Sequence, residues 1–159
     1  MKRFAYVFLA FPFLCAFGSQ QASAPSKIDA EKSLIKAVLD NYIVSIEKED
    51  IDLYAKVMAH DPSMVNFGTS EEPIVGWDAL KKLIEGQNAA LSDTKIEVKD
   101  QKIRVAANKK FGWATSLWNF QAKMGDKAMA LPVRCTWILE KKAGAWAIIH
   151  FHKSVAAKE

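Results

Sequence analysis

Residues 134–154 read RCTWILEKKAGAWAIIHFHKS, two apolar-rich runs joined by Lys142-Ala143-Gly144. Thr136, Trp137 and Ile138 in the first run and Trp146, Ile148, Ile149 and Phe151 in the second are side chains that favour pleated backbone. Glycine in the short connection supplies the conformational freedom of a tight turn. The stretch therefore predicts a hairpin whose strands run from about Ala128 to Lys142 and from Ala145 to Val155. In the second strand Ile149, Phe151 and Lys153 alternate with Ile148, His150 and His152. Apolar residues stand in both sets, so this strand is predicted to be covered on both faces.

Working backwards, Gly125-Asp126 marks another tight turn, preceded by a strand from Phe111 to Met124. Pro132, just after that turn, marks a bulge or an edge. Ile96, Val98, Ile103 and Val105 predict an earlier strand with an irregularity near Asp100. Before Ser92 the period lengthens. Ile28, Leu34, Ile35, Val38, Leu39, Tyr42, Ile43 and Ile46 recur at three- and four-residue steps, which predicts a helix over about Ile28 to Glu49. Asp50 caps a second, short helix carrying Leu53, Tyr54, Val57 and Met58, and Asp61-Pro62-Ser63 ends it. Met64 to Phe67 and Ile74-Val75 read as short strands. Gly76 leads into a helix from Trp77 to Leu91 with Leu80, Leu83 and Ile84 on its inner face. Helices first and an antiparallel meander after them give an α+β domain.

The extreme N-terminus is of another kind. Met1-Lys2-Arg3 precedes an apolar run from Phe4 to Phe17, and small residues follow, the pattern of a secretory signal peptide. The run is too short for a bilayer-spanning helix, so no stable membrane anchor is expected. Residues 1–24 are read as leader and flexible lead-in, cleaved after Gly18 or after Ala24, and residues 28–155 as the domain. This places the mature protein outside the cell or in the periplasm. Loss of Lys2 and Arg3 takes the formal charge from +4 down by two. Nothing in that balance calls for nucleic acid as a partner. Cys15 leaves with the leader and Cys135 stays alone, read as an inert thiol buried in a strand. Without a disulfide the core must supply the stability, and a mature chain that is half apolar can do so.

Arg134-Cys135-Thr136-Trp137, then Gly144-Ala145-Trp146, then Ile148 through Ser154 resembles the end of SnoaL-like domains. It is especially similar to the association (hub) domain of calcium/calmodulin-dependent protein kinase II. The resemblance reaches back through Gly76 and through Asp50 to Tyr54, and so spans about residues 28–155. It implies the cone of nuclear transport factor 2: helices lying in a bent antiparallel sheet, a pocket for a small molecule between them, and homodimers formed through the sheet. The fold hosts enzymes, binding modules and oligomerisation hubs, so the residues have to decide among these.

Ketosteroid isomerase, an enzyme of this fold, works with a carboxylate base and hydrogen-bond donors for an enolate. Matched through Asp50, Tyr42 falls where that family has its oxyanion tyrosine. Asn66 falls where it has its catalytic aspartate, and an amide accepts no proton at neutral pH. Substitute bases are Asp61, otherwise a capping carboxylate, and His150. His150 and His152 share a face and are two of the ligands a metal would need, but no third is evident; neither a metal nor another cofactor is expected.

The hub domain's pocket takes small carboxylates through arginines, a histidine and a tyrosine. Tyr54 matches the tyrosine, and Lys153 replaces one arginine. Asn119 and Trp137 stand at two other arginine positions, and Leu80 at the histidine. Forked guanidinium recognition is therefore absent, and lysine does not reproduce its geometry. Tyr42, Tyr54, Asn66, Asn119, Trp137 and Lys153 are the predicted ligand contacts. They suit a mostly apolar molecule with one or two polar handles. The implied pocket takes the odd-numbered residues of the last strand, leaving the even ones with Arg134 and Thr136 for a dimer partner. The aromatic strip Trp113, Trp118 and Phe120 reads as core or interface. Three functions follow: a secreted binding or accessory domain, a SnoaL-like enzyme acting on a small apolar carbonyl compound, or a purely structural dimerisation module.

Overall fold

A computed structural model describes residues 26–156, so the predicted leader lies outside the described residues. Helix α1 spans Lys27–Glu47, and Ser26 caps it by accepting the Asp29 N–H at 3.1 Å. Asp50 caps helix α2 (Ile51–Val57) by accepting the Leu53 N–H at 2.8 Å. Strands β1 (Val65–Asn66) and β2 (Ile74–Val75) form a small antiparallel pair. Helix α3 (Trp77–Ala90) follows. The long strands are β3 (Ser92–Val105), β4 (Phe111–Met124), β5 (Lys127–Lys142) and β6 (Ala145–Ser154), in one antiparallel sheet of order β3-β4-β5-β6.

Each predicted element is present within a few residues of its expected bounds. The irregularity expected near Asp100 is a register shift between Lys99 and Lys102, with Asp100 in the left-handed region at φ 51°. The turn at Ala143-Gly144 has both residues at positive φ, 48° and 86°, which matches the right-handed twist of the flanking strands. Pro132 marks no bulge; it stands in regular register opposite Asn119. It lies beyond the last β5–β6 pair, Arg134 with Ser154, where β5 is bonded on one side only. A missing N–H is tolerated at such a local edge.

α1 crosses the concave side of the sheet and is fastened at both ends. Near its start, the Glu31 carboxylate accepts from Lys141 Nζ at 2.7 Å and from Trp146 Nε1 at 2.9 Å. Near its end, Glu47 accepts the β3 backbone N–H of Ile96 at 2.8 Å. Gly112 lets the helix come close: a Cβ there would stand 2.5 Å from Ile35 Cδ1. The resulting core joins Ile35, Leu39 and Tyr42 of α1 to Trp118, Trp137, Leu139 and Ile148 of the sheet. Leu80 and Ile84 of α3 are buried with them, but Leu83, expected on the same face, is 37% exposed.

The last strand departs from simple alternation. Ile138 pairs with His150 but Leu139 pairs with Ile148, so Ile149 is an extra residue in a β-bulge. Ile148 before the bulge and Phe151 after it are both buried. The expected odd-numbered inner face therefore holds for Phe151 but not for Ile149, and Ile148 belongs to the core. A bulge places two residues opposite one and breaks the period of two.

Candidate functional site

The inner face of the sheet is read from its pairs. Trp137 stands between Ala114 and Phe151, Cys135 between Ser116 and Lys153, and Val133 beside Trp118. Tyr42 from α1 and Tyr54 from α2 complete the cluster, their ring centroids 5.2 Å apart. Tyr42 lies 6.2 Å from both Trp118 and Trp137, and those two indoles are 5.4 Å apart. Lys153 Nζ rests over three rings, 5.1 Å from Tyr42, 4.9 Å from Trp118 and 5.0 Å from Phe151. Such placement stabilises an ammonium through the ring quadrupoles.

Of the six predicted contacts, the structure gathers Tyr42, Tyr54, Trp137 and Lys153 into this cluster. Asn66 is also fully buried, but its carboxamide is occupied structurally: Oδ1 accepts the Phe151 N–H at 2.8 Å. It ties β1 to the free side of β6, where Phe67 and Lys153 continue the bonding through backbone N–H to O contacts of 2.9 Å. Asn119 does not join the group. It alternates with the buried Ser116, Trp118 and Ala122 of β4, and so points to the opposite face of the sheet. The reading by resemblance placed the polar contact at Asn119, one residue away from Trp118, which is the β4 side chain that turns inward.

The open space lies beside the aromatic cluster, between α3 and the sheet. A cavity of about 160 Å³ has Ile84, Leu91, Trp118, Phe120, Leu131 and Val133 in its walls. Its polar lining is Glu49, Thr69, Gln87, Asn88, Thr94 and Lys153. Tyr42, Tyr54, Asn66 and Trp137 are not in the lining; they form solid core behind Trp118 and Lys153. Trp118 and Phe120 thus belong to the cavity, where the aromatic strip was expected in core or interface. The α3 contributions went unseen because nothing in the sequence says which face of that helix meets open space. Glu49, the carboxylate of this lining, sits just past the end of α1 at φ 57°.

The electrostatics are unusual for a core. Lys153 is half-buried as a residue, yet the burial of its ammonium pushes its pKa down. Among the described residues no carboxylate lies within ion-pair distance of it. Burial likewise pushes the Tyr42 and Tyr54 hydroxyls well above the usual phenol range, and raises the Cys135 thiol to about 12. Among the described residues six buried polar atoms lack a partner of ordinary geometry: Tyr42 Oη, Tyr54 Oη, Asn66 Nδ2, Ser116 Oγ, Trp118 Nε1 and Trp137 Nε1. Every one of these can donate. The hydroxyls of Tyr42, Tyr54 and Ser116 can accept as well, whereas Asn66 Nδ2 and the two indole N–H groups only donate.

The substitute bases stand elsewhere. Asp61 is a turn carboxylate: its Oδ1 accepts from Ser63 N and Oγ at 2.8 and 2.7 Å. These bonds hold it below the usual carboxylate range. His150 bonds the Val65 carbonyl oxygen at 2.7 Å, and Phe67 packs edge-on against both His150 and His152. Neither Asp61 nor His150 lines the cavity. Among the described residues no group of three His, Cys, Asp or Glu side chains is placed to hold a metal ion.

Solved structures share the architecture. A nuclear transport factor 2-like superfamily protein from Salmonella enterica serovar Typhimurium superposes with a TM-score of 0.74 at 20% identity, over 82% of this chain and 94% of that one. A candidate dehydratase of the nuclear transport factor 2-like family from Streptomyces avermitilis also gives 0.74, at 12% identity over 82% and 99%. A candidate calcium/calmodulin-dependent protein kinase II association domain from Xanthomonas campestris gives 0.67, at 19% identity over 79% and 87%. No curated protein matches the chain. The sequence model of the SnoaL-like domain matches residues 35–158, from the middle of α1 past the end of β6. With the cone, the bent antiparallel sheet and that match in hand, the chain belongs to the SnoaL-like domain family.

Proposed function

We propose that this protein is an exported small-molecule-binding domain, and that its ligand is largely apolar and carries an acceptor oxygen. The observation that supports this is Lys153: a cation that shares the lining of a partly apolar cavity with Glu49 and has no carboxylate within ion-pair distance among the described residues. A buried charge without a counter-charge is costly, and a ligand oxygen would relieve it. Trp118 Nε1, buried beside the same cavity without a partner, offers a second donor. Export rests on the leader-like residues 1–24 alone.

Catalysis is the weaker reading. The proposed substitute bases are not in the cavity lining, and an amide fills the position of the isomerase carboxylate. A reaction here would depend on Glu49, at the exposed rim.

Trp118 makes binding measurable. Titration with acetophenone, a small neutral carbonyl probe, is expected to give a saturable change in tryptophan fluorescence that Trp118→Phe removes. A strictly linear response up to the probe's solubility would overturn the reading.

We further infer a homodimer through the outer face of the sheet. Trp113, Leu117 and Ile138 are 46%, 46% and 39% exposed there, and Trp113 pairs directly with Ile138. Clustered apolar exposure of this kind marks contact surfaces. Sedimentation of wild type beside a Trp113→Lys, Ile138→Lys variant tests it; a monomeric wild type would refute the pairing.

A further inference from the structure

A second hollow adjoins the cavity. Gln87, Leu91 and Met129 also line this hollow, an open groove of about 630 Å³ between α3 and the β4–β5 hairpin. Its other walls are mostly apolar, with Leu83 and Met124 37% and 57% exposed. Leu83 stands on the α3 face that periodicity assigned to the core, yet it borders this groove. One end of the combined space thus carries the cation Lys153 against the aromatic core. The other end is an apolar channel open to water.

We infer that the site takes a single-chain amphiphile, such as a medium-chain fatty acid. Its carboxylate sits at Lys153, and its alkyl tail leaves past Leu91 and Met129 to lie between Leu83 and Met124. The inference rests on the binding reading above and adds the ligand's shape. Size supports it: a cavity of about 150 Å³ holds one benzene-sized molecule. A chain longer than about six carbons must therefore emerge, and the groove gives the emerging methylenes a surface to cover. Charge supports it as well. Lys153 has no carboxylate within ion-pair distance among the described residues, Glu49 of the same lining included, and the neighbouring orphan Trp118 Nε1 is a donor. The head group must therefore bring acceptors.

Calorimetry on the full chain separates the elements, using hexanoate, decanoate, decanol and acetophenone as probes. Each methylene that leaves water is expected to tighten binding roughly four-fold. Decanoate, with four more methylenes, should therefore bind roughly two-hundred-fold tighter than hexanoate. Leu83→Gln with Met124→Gln should remove most of that difference and leave hexanoate unchanged. Lys153→Met should weaken decanoate by at least about ten-fold while changing decanol little. Lys82 is the other cation bordering the groove, so Lys82→Met is compared with Lys153→Met and should weaken decanoate far less. Equal affinity for hexanoate and decanoate would overturn the tail's path. Equal loss of decanol and decanoate in Lys153→Met, or a loss confined to Lys82→Met, would overturn the head's position. In each of these cases retained acetophenone binding leaves the parent reading standing, and its absence from wild type removes both.

Discussion

Asn66 offers its carboxamide oxygen to the backbone N–H of Phe151, 2.8 Å away and 85 positions later in the chain. That bond fastens the β1 segment to the open side of β6, next to the residues that position Lys153. A buried N–H left without an acceptor costs about 1–3 kcal/mol. Asn66→Ala should therefore lower the unfolding free energy by about 2 kcal/mol in urea. A change below a few tenths would mean that water replaces the amide there.

Gly112 sets how near α1 lies to the sheet. An added Cβ would meet Ile35 Cδ1 at 2.5 Å and the Arg104 carbonyl oxygen at 3.0 Å. The first neighbour is a flexible side-chain end and the second is backbone. Gly112→Ala should destabilise by about 1–3 kcal/mol through overpacking. Trimming Ile35 to Val in the same chain should restore part of the loss, which a double-mutant cycle would register as coupling. Strict additivity would place the strain at Arg104 instead.

Lys153 makes stability depend on pH in a defined direction. Burial lowers its pKa in the folded state, so the unfolded chain holds this proton more tightly. Stability then rises with pH between the lowered folded value and the ordinary lysine range. Below that window the buried charge is a net cost. Relative to Lys153→Met, the wild type should gain stability as pH climbs toward the ordinary lysine value. Parallel stability curves for the two proteins across alkaline pH would show that the ammonium is solvated.

Cys135 is buried directly opposite Lys153 on the neighbouring strand, and burial pushes its thiol to about 12. The thiolate is the reactive form. Native protein should therefore react with Ellman's reagent far more slowly than protein in denaturant, by at least about a hundred-fold at pH 8. Comparable rates would show that the strand opens freely.

Much of this was legible beforehand, because long elements with a strong period declare themselves. α1 announced itself through Ile35, Leu39, Tyr42 and Ile43, all buried, and the three long hairpin strands through their turn residues. The inward convergence of Tyr42, Tyr54 and Trp137 was legible through resemblance. Two kinds of detail were not. Faces near an irregularity depend on register, and Ile148 and Ile149 are chemically identical, so nothing in composition tells which of them is inserted. Asn119 and Trp118 differ by one position, and that single step decides the side of the sheet. Hollows are the other kind. Gln87, Leu91 and Met129 meet only because α3 and a hairpin tip are brought together in space, and none carries a recognisable pattern of its own.

The added residue at Ile149 works as a phase shift in the chain. Continued regularly from Trp146 and Ile148, the alternation would carry His150 and His152 indoors and leave Lys153 in solvent. The same ten amino acids would then present two imidazole rings to the interior in place of an ammonium. Which basic side chain of this strand turns inward is thus decided by the placement of one surplus backbone unit, with the composition of the strand unchanged.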